Sequence, residues 1–148
     1  MKTRILQPSF VKFIPESLED GIIYISIDYC TATHNCVCGC GNKVVTPFTP
    51  TDWELAFNGE TVSLSPSIGN WSFDCQSHYW IKRGKIQWAG QWSQEEIEAG
   101  RRKDQITKQL HFSDVDEPSE VSAKSEFTPV EQEPVLGFWQ KLRHKFGL

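Results

Sequence analysis

The chain has 148 residues, 39% of them hydrophobic and 12% aromatic, and a formal net charge of −4. That length holds one ordinary domain with extensions rather than two full domains, and the acidic balance argues against a nucleic-acid binder, which carries a basic field. No apolar run of about 18 residues is present to span a bilayer, and Met1–Pro8 lacks the apolar stretch of a secretory signal; the expected location is the cytoplasm.

Charge divides the chain into three. Residues 1–112 hold 11 basic and 12 acidic side chains, residues 113–134 hold seven acids against Lys124 alone, and residues 135–148 hold Lys141, Arg143 and Lys145 with no acid. The expectation is a folded domain over 1–112, then an acidic disordered linker over 113–134, too poor in apolar residues to offset the entropy of folding. Over 135–148, Val135, Phe138, Trp139, Leu142 and Phe146 share one helical face opposite the bases. Such a basic amphipathic helix docks to a partner groove or an anionic membrane surface, or folds back onto its own domain.

In chain order, Phe10–Ile14 reads as a short strand stopped by Pro15, and Ile22–Asp28 as a β-branched strand after Gly21. Trp53–Phe57 and Glu60–Leu64 alternate about Asn58-Gly59, a pair that supplies the positive φ of a two-residue type I′ hairpin. A second hairpin turns at Arg83-Gly84, between Tyr79–Lys82 and Lys85–Trp88. Ser93-Gln94-Glu95-Glu96 is a capping box that opens a helix, with Glu98/Arg102 and Asp104/Lys108 at i,i+4 spacing. Its apolar stripe (Ile97, Ile106, Leu110) is thin, which places it at a sheet edge or on the surface. The fold class is therefore mainly β (α+β): a small antiparallel domain with one zinc-stapled loop and a C-terminal helix, then a disordered tail. The many Trp and Phe rings are expected to fill much of its core.

Five cysteines in a chain expected to stay in a reducing compartment point to metal or catalysis rather than disulfides. Cys36-Val37-Cys38-Gly39-Cys40-Gly41 brings three thiols into one glycine-bent segment, and Cys75-Gln76-Ser77-His78 adds a thiol and an imidazole. Thiolates and imidazoles suit Zn²⁺, and Cys36, Cys38, Cys40 and Cys75 would close a tetrahedral, structural site. His34 and His78 are then ligands or free bases; Cys30 is read as a core thiol. A hydrolytic zinc centre with an open position is the lesser alternative, because no helical H-E-x-x-H is present. Ser67, in Ser65-Pro66-Ser67-Ile68-Gly69-Asn70-Trp71, is read as a turn residue with an exposed hydroxyl. Paired with His34 or His78 it would be a nucleophile with its base, the imidazole oriented by Asp28, Asp52 or Asp74.

Several of these segments together, Phe10-Val11-Lys12-Phe13-Ile14-Pro15, Tyr24-Ile25-Ser26-Ile27, His34-Asn35-Cys36-Val37-Cys38-Gly39-Cys40-Gly41, Thr49-Pro50-Thr51-Asp52-Trp53, Leu64–Trp71 and Cys75–Ile81, resemble a small bacterial Cys/His-rich family. That family is encoded in ubiquitin-like conjugation operons, beside multi-ubiquitin, activating-like and conjugating-like genes. The resemblance runs from Phe10 to about Ala89. It implies zinc binding, and the ubiquitin-like modifier and its conjugation enzymes as partners. On that ground the expected function is a serine-type peptidase that processes or deconjugates the modifier, with Ser67 and a histidine as its machinery. A non-catalytic zinc adaptor that recruits the modifier or the conjugation enzymes is the alternative.

Overall fold

A computed structural model describes residues 2–113. The elements are β1 (Gln7–Phe10), β2 (Ile22–Ser26), β3 (Thr31–Asn35), β4 (Lys43–Pro47), β5 (Glu54–Phe57), β6 (Val62–Gly69), β7 (His78–Lys82), β8 (Lys85–Trp88) and α1 (Gln94–Ser113). They form two four-stranded sheets, ordered β1-β2-β3-β4 and β5-β6-β7-β8. All neighbours are antiparallel except β1, which runs parallel to β2. The fold is mainly β with one C-terminal helix, as expected from the sequence.

The N-terminal segment ties the sheets together. Leu6 N–H donates to the Gly84 carbonyl at 2.8 Å and Ile86 N–H to the Arg4 carbonyl at 2.9 Å, after which Gln7 N–H reaches the Gly21 carbonyl at 2.8 Å. Between the sheets lies one aliphatic core: Leu6, Ile23, Ile25, Ala32, Val37, Val44, Val62, Leu64, Ile68 and Ile81, with Tyr79. Each Leu, Ile or Val among them contributes about 1.5–3 kcal/mol on burial.

Several expectations are corrected. The Trp and Phe rings do not fill the core: none among the described residues is fully buried, and Phe48, Trp53 and Phe73 pack against it from outside. The first strand is Gln7–Phe10, not Phe10–Ile14, because buried Leu6 anchors the segment while Phe10 and Phe13 stay exposed. The β5–β6 hairpin forms, but Phe57 pairs with Val62 and only Gly59 has positive φ. Asn58 acts through its side chain instead, its Oδ1 accepting from the amides of Glu60 (3.0 Å) and Thr61 (2.8 Å). Cys30 is an exposed turn residue and not a core thiol. Arg83 and Gly84 both adopt positive φ, as the tight β7–β8 turn requires.

The capping box closes as read: Glu96 N–H donates to Ser93 Oγ at 3.3 Å, and Ser93 N–H to Glu96 Oε2 at 2.7 Å. α1 buries Ile97 and leaves Ile106 and Leu110 exposed. It is pinned to the loop before β5 by Lys108, whose ammonium lies 2.7 Å from Asp52 and 3.4 Å from Asp104. Of the expected linker 113–134, only Ser113 is described, and it closes α1; the helix over 135–148 lies outside the described residues. Among the described residues no helix is long and apolar enough to cross a membrane.

Candidate functional site

Two groups of chemistry-bearing side chains come together, one in loops and one on strands. The loop after β3 turns back on itself, with Gly39 N–H bonded to the Cys36 carbonyl at 3.0 Å and Gly39 and Gly41 both at positive φ. Cys36, Cys38 and Cys40 thereby converge, and Cys75 reaches them from the β6–β7 connection. The four sulfurs lie within 4.8 Å of one another, with Cys36–Cys38 at 3.4 Å, Cys36–Cys75 at 3.9 Å and Cys40–Cys75 at 3.6 Å. A tetrahedral site with metal–sulfur bonds of about 2.3 Å places its sulfurs about 3.8 Å apart. The donor set therefore fits a metal ion, and four protein sulfurs leave no position open for water.

Hydrogen bonds reach two of the sulfurs, while burial acts on Cys38. Asn42 Nδ2–H donates to Cys40 Sγ at 3.2 Å, and Ser77 Oγ lies 3.1 Å from Cys36 Sγ. Backbone hydrogen bonding at Asn42 brings the exposed Cys40 thiol down to about 7. Burial, with the neighbouring thiols, pushes Cys38 up to about 12. Without a cation the cluster resists full deprotonation, the usual condition of thiols that a metal binds.

Ser67 stands on β6 rather than in a turn, which corrects the sequence reading. The β6–β7 ladder breaks register between Leu64 and Ile68: Leu64 faces Ile81 and Ile68 faces Tyr79, so β6 carries two more residues than β7 across the gap. Ser67 lies within this bulge, a device that re-aims side chains. Beyond it, Gly69 pairs with His78. Ser67 and His78 are thus diagonal neighbours across the ladder, and Ser67 Oγ lies 2.9 Å from His78 Nε2. His78 Nδ1 lies 2.7 Å from the Gly90 carbonyl. A carbonyl only accepts, so Nδ1 carries the proton, and the neutral ring is left with Nε2 free to accept from Ser67.

The ring of His78 is held from its sides. Trp71 packs at 4.9 Å and Trp92 at 5.3 Å between ring centroids, and the two indoles stack on each other at 5.4 Å. Two glycines make this packing possible. A Cβ on Gly69 would fall 2.4 Å from Trp71 Nε1, and one on Gly100 of α1 would fall 3.0 Å from Trp92. Glycine inside a helix costs about 1 kcal/mol relative to alanine; here it lets α1 seat against the indole beside His78.

His34 occupies a different place. It is fully buried on β3, with Nε2 2.8 Å from Tyr79 Oη and no hydrogen bond to Ser67. Its Nδ1 has no partner, and burial lowers its pKa to about 4, which keeps the ring neutral. Asp28, Asp52 and Asp74 do not reach His78; Asp52 instead binds Thr49 and Lys108.

A buried polar network runs from the thiol cluster to Tyr79 and, through it, to His34. Asn70 Nδ2 donates to Ser77 Oγ at 2.8 Å and reaches Tyr79 Oη at 3.5 Å, while Ser77 Oγ touches the sulfurs of Cys36 and Cys75. Asn70 N–H also donates to the Ser77 carbonyl at 2.8 Å. Gln76, left-handed at φ 41, turns the chain between Cys75 and His78. Cys75 and His78 are thus three residues apart on one turned segment. A cavity of about 260 Å³ opens beside Ser67, bounded by Trp53, Pro66, Trp71, Trp92 and the α1 residues Ile97, Gly100, Arg101 and Asp104.

Of the residues singled out in the sequence, the structure brings Ser67 to His78 and the four thiols to one another and leaves His34 apart; Gly90, Trp92, Gly100 and Asn70 carry no such sequence signal. A main-chain carbonyl leaves no mark in a sequence. The high tryptophan content was a signal that rings had a task, although it was read as core.

No curated protein matches the chain, and no solved structure matches it. A family model does match, over residues 10–89, more than half of the chain: bacterial ubiquitination-like system serine protease (BubE). The chain therefore belongs to a family of serine proteases of bacterial ubiquitination-like systems.

Proposed function

We propose that this protein is a serine-type peptidase that cleaves a ubiquitin-like modifier from its precursor or its conjugates, with Ser67 as nucleophile and His78 as general base. The observation that carries this reading is the two-sided hold on His78: Gly90 oxygen at 2.7 Å from Nδ1 and Ser67 Oγ at 2.9 Å from Nε2. As Ser67 Oγ bonds to the substrate carbonyl carbon, its proton passes to Nε2. The imidazolium then gives that proton to the leaving nitrogen as the C–N bond breaks, leaving an acyl ester on Ser67. Water repeats the sequence: its proton goes to Nε2, its oxygen attacks the ester, and Ser67 regains its hydrogen. General base catalysis of this kind contributes about 10²–10⁴-fold. Trp71 and Trp92 pack against the imidazole and hold its orientation through both steps.

Cys36, Cys38, Cys40 and Cys75 would hold Zn²⁺, as the all-thiol donor set favours. A bound ion there supplies charge neutralisation and a rigid frame for the segment that leads into His78. The closed ligand set argues against a hydrolytic metal centre. His34, sealed in the core, is assigned a structural place.

The test is cleavage of a ubiquitin-like precursor from the same operon, with labelling by a fluorophosphonate, in wild type and Ser67→Ala. The variant is expected to lose both label and at least about 10³-fold in rate while keeping its metal. Unchanged cleavage by Ser67→Ala would move the nucleophile elsewhere. A wild-type protein that neither labels nor cleaves would make the chain an adaptor.

A further inference from the structure

The sheet that carries Ser67 ends in a strand with a free edge. β5 is outermost in its sheet and pairs with β6. The register shows which of its backbone groups are used. Asn58 N–H donates to the Thr61 carbonyl at 3.2 Å, so Asn58/Thr61 is a hydrogen-bonded pair. Bonded pairs alternate in an antiparallel ladder. Ala56/Ser63 and Glu54/Ser65 are therefore bonded, whereas Leu55/Leu64 and Phe57/Val62 are not. The N–H and C=O of Leu55 and Phe57 face away from β6, and no backbone bond takes them up among the described residues, whereas the next outward N–H, that of Trp53, is taken by the Pro47 carbonyl at 3.2 Å, so the open edge ends at Leu55.

That edge borders a cleft of about 640 Å³ whose walls include Ile27, Phe48, Trp53, Leu55 and Pro66. The cleft adjoins the cavity beside Ser67, sharing Asp52, Trp53 and Pro66 with it. Alternating main-chain donors and acceptors along a half-apolar trough are what an extended peptide recognises; bonds to its backbone give affinity and side-chain pockets give selectivity.

Resting on the peptidase reading, we infer that an extended segment of the substrate adds as a strand to the outer edge of β5 and is thereby led to Ser67. Ser65 lies opposite Glu54, and Ser67 lies two residues further on, about 7 Å at 3.3 Å per residue. Ser67 is also two strand spacings, about 10 Å, across from a strand added beyond β5, so the segment leaves the edge at Leu55 and crosses the cleft, and the substrate residue that bonds Leu55 is about four residues from the scissile bond. The substrate class is a flexible tail or linker, unfolded over four or more residues around the cut, rather than a loop on a folded surface.

The experiment uses the full chain and position-scanned peptide amidocoumarins from dipeptide to hexapeptide. Extension past the residue that meets Leu55 is expected to raise kcat/KM about tenfold or more, the yield of one or two backbone hydrogen bonds. N-methylation of the peptide is expected to abolish that gain at alternate positions and spare the ones between. Leu55→Pro removes one outward N–H without taking a bond from the β5–β6 ladder, and should flatten the length dependence while Ser67 still labels with a fluorophosphonate. Labelled Ser67 with a flat length profile, with no peptide cleaved, or with N-methylation effects lacking the two-residue period overturns strand addition and leaves the nucleophile standing. Loss of labelling in the wild type strikes the peptidase reading itself. A dimer in sedimentation that Leu55→Pro dissociates would give the edge to a second copy and overturn the proposal.

Discussion

The thiol cluster and the serine–histidine pair lie side by side but are made in opposite ways. The cluster is a property of loops: three thiols alternate with Val37 and Gly39 in one bend, and the fourth hangs on a second loop. The pair is a property of strands, set by a bulge in β6 and by the pairing of Gly69 with His78. Loop-borne thiols need a cation to become rigid, whereas strand-borne groups inherit rigidity from the ladder. Local spacing therefore announces the first site, and only long-range register creates the second.

The largest test of this contrast is Cys75→Ser. Loss of one sulfur is expected to release the metal and lower stability by several kcal/mol, read by metal analysis and thermal unfolding. Because Cys75 and His78 share the segment turned by Gln76, hydrolysis should fall with it. Activity that survives metal loss would show the two regions to be independent.

A smaller effect should separate them in the other direction. Gly69→Ala drives a Cβ into the Trp71 indole, 2.4 Å from Nε1 and 2.7 Å from Cε2. The ring must leave its place against His78, at about 1–3 kcal/mol in stability and roughly tenfold or more in kcat, with the metal content unchanged.

The smallest concerns the helix over the cavity. Burial would raise the Asp52 carboxyl, but hydrogen bonds from Lys108 and Thr49 overcome this and hold it below its ordinary 3.8. The unfolded chain then binds the proton first as pH falls. The contribution is complete above about pH 4 to 5 and is lost as pH drops through the depressed value. Lys108 is more than a third exposed, so the effect is about 1 kcal/mol or less. Lys108→Ala should remove that acid-side slope from the unfolding temperature and leave the thiol cluster untouched.

These contrasts explain what could be read in the chain. The β7–β8 hairpin, the helix cap at Ser93 and the convergent thiols rest on neighbouring residues, and each was legible. β3 was not, because Thr31-Ala32-Thr33-His34-Asn35 looks polar; as an inner strand it is buried, and part of its polarity is met within the fold, by Tyr79 at His34 and by Thr46 at the Ala32 carbonyl. Ser67 looked like a turn residue because Pro66 and Gly69 flank the segment, yet a bulged strand uses such residues equally well. The histidine that meets Ser67 was undecided between His34 and His78, since strand register and not sequence distance determines the partner. An aspartate is the residue type that the sequence offers to orient the imidazole, and none of Asp28, Asp52 and Asp74 reaches the ring.

The group that does reach it is the Gly90 oxygen. A peptide oxygen survives every side-chain replacement, so an alanine scan of the proposed site would test Ser67 and His78 and pass over it. It also has no proton to gain or lose across the working range, so acidification cannot switch it off as it would a carboxylate. What keeps it aimed is the path of the chain leaving β8, where Ala89 N–H returns to the His78 carbonyl at 2.9 Å. The vulnerability has moved from chemistry to chain length: one residue inserted or deleted between Trp88 and Trp92 would disarm the histidine without altering a single residue that carries a functional side chain.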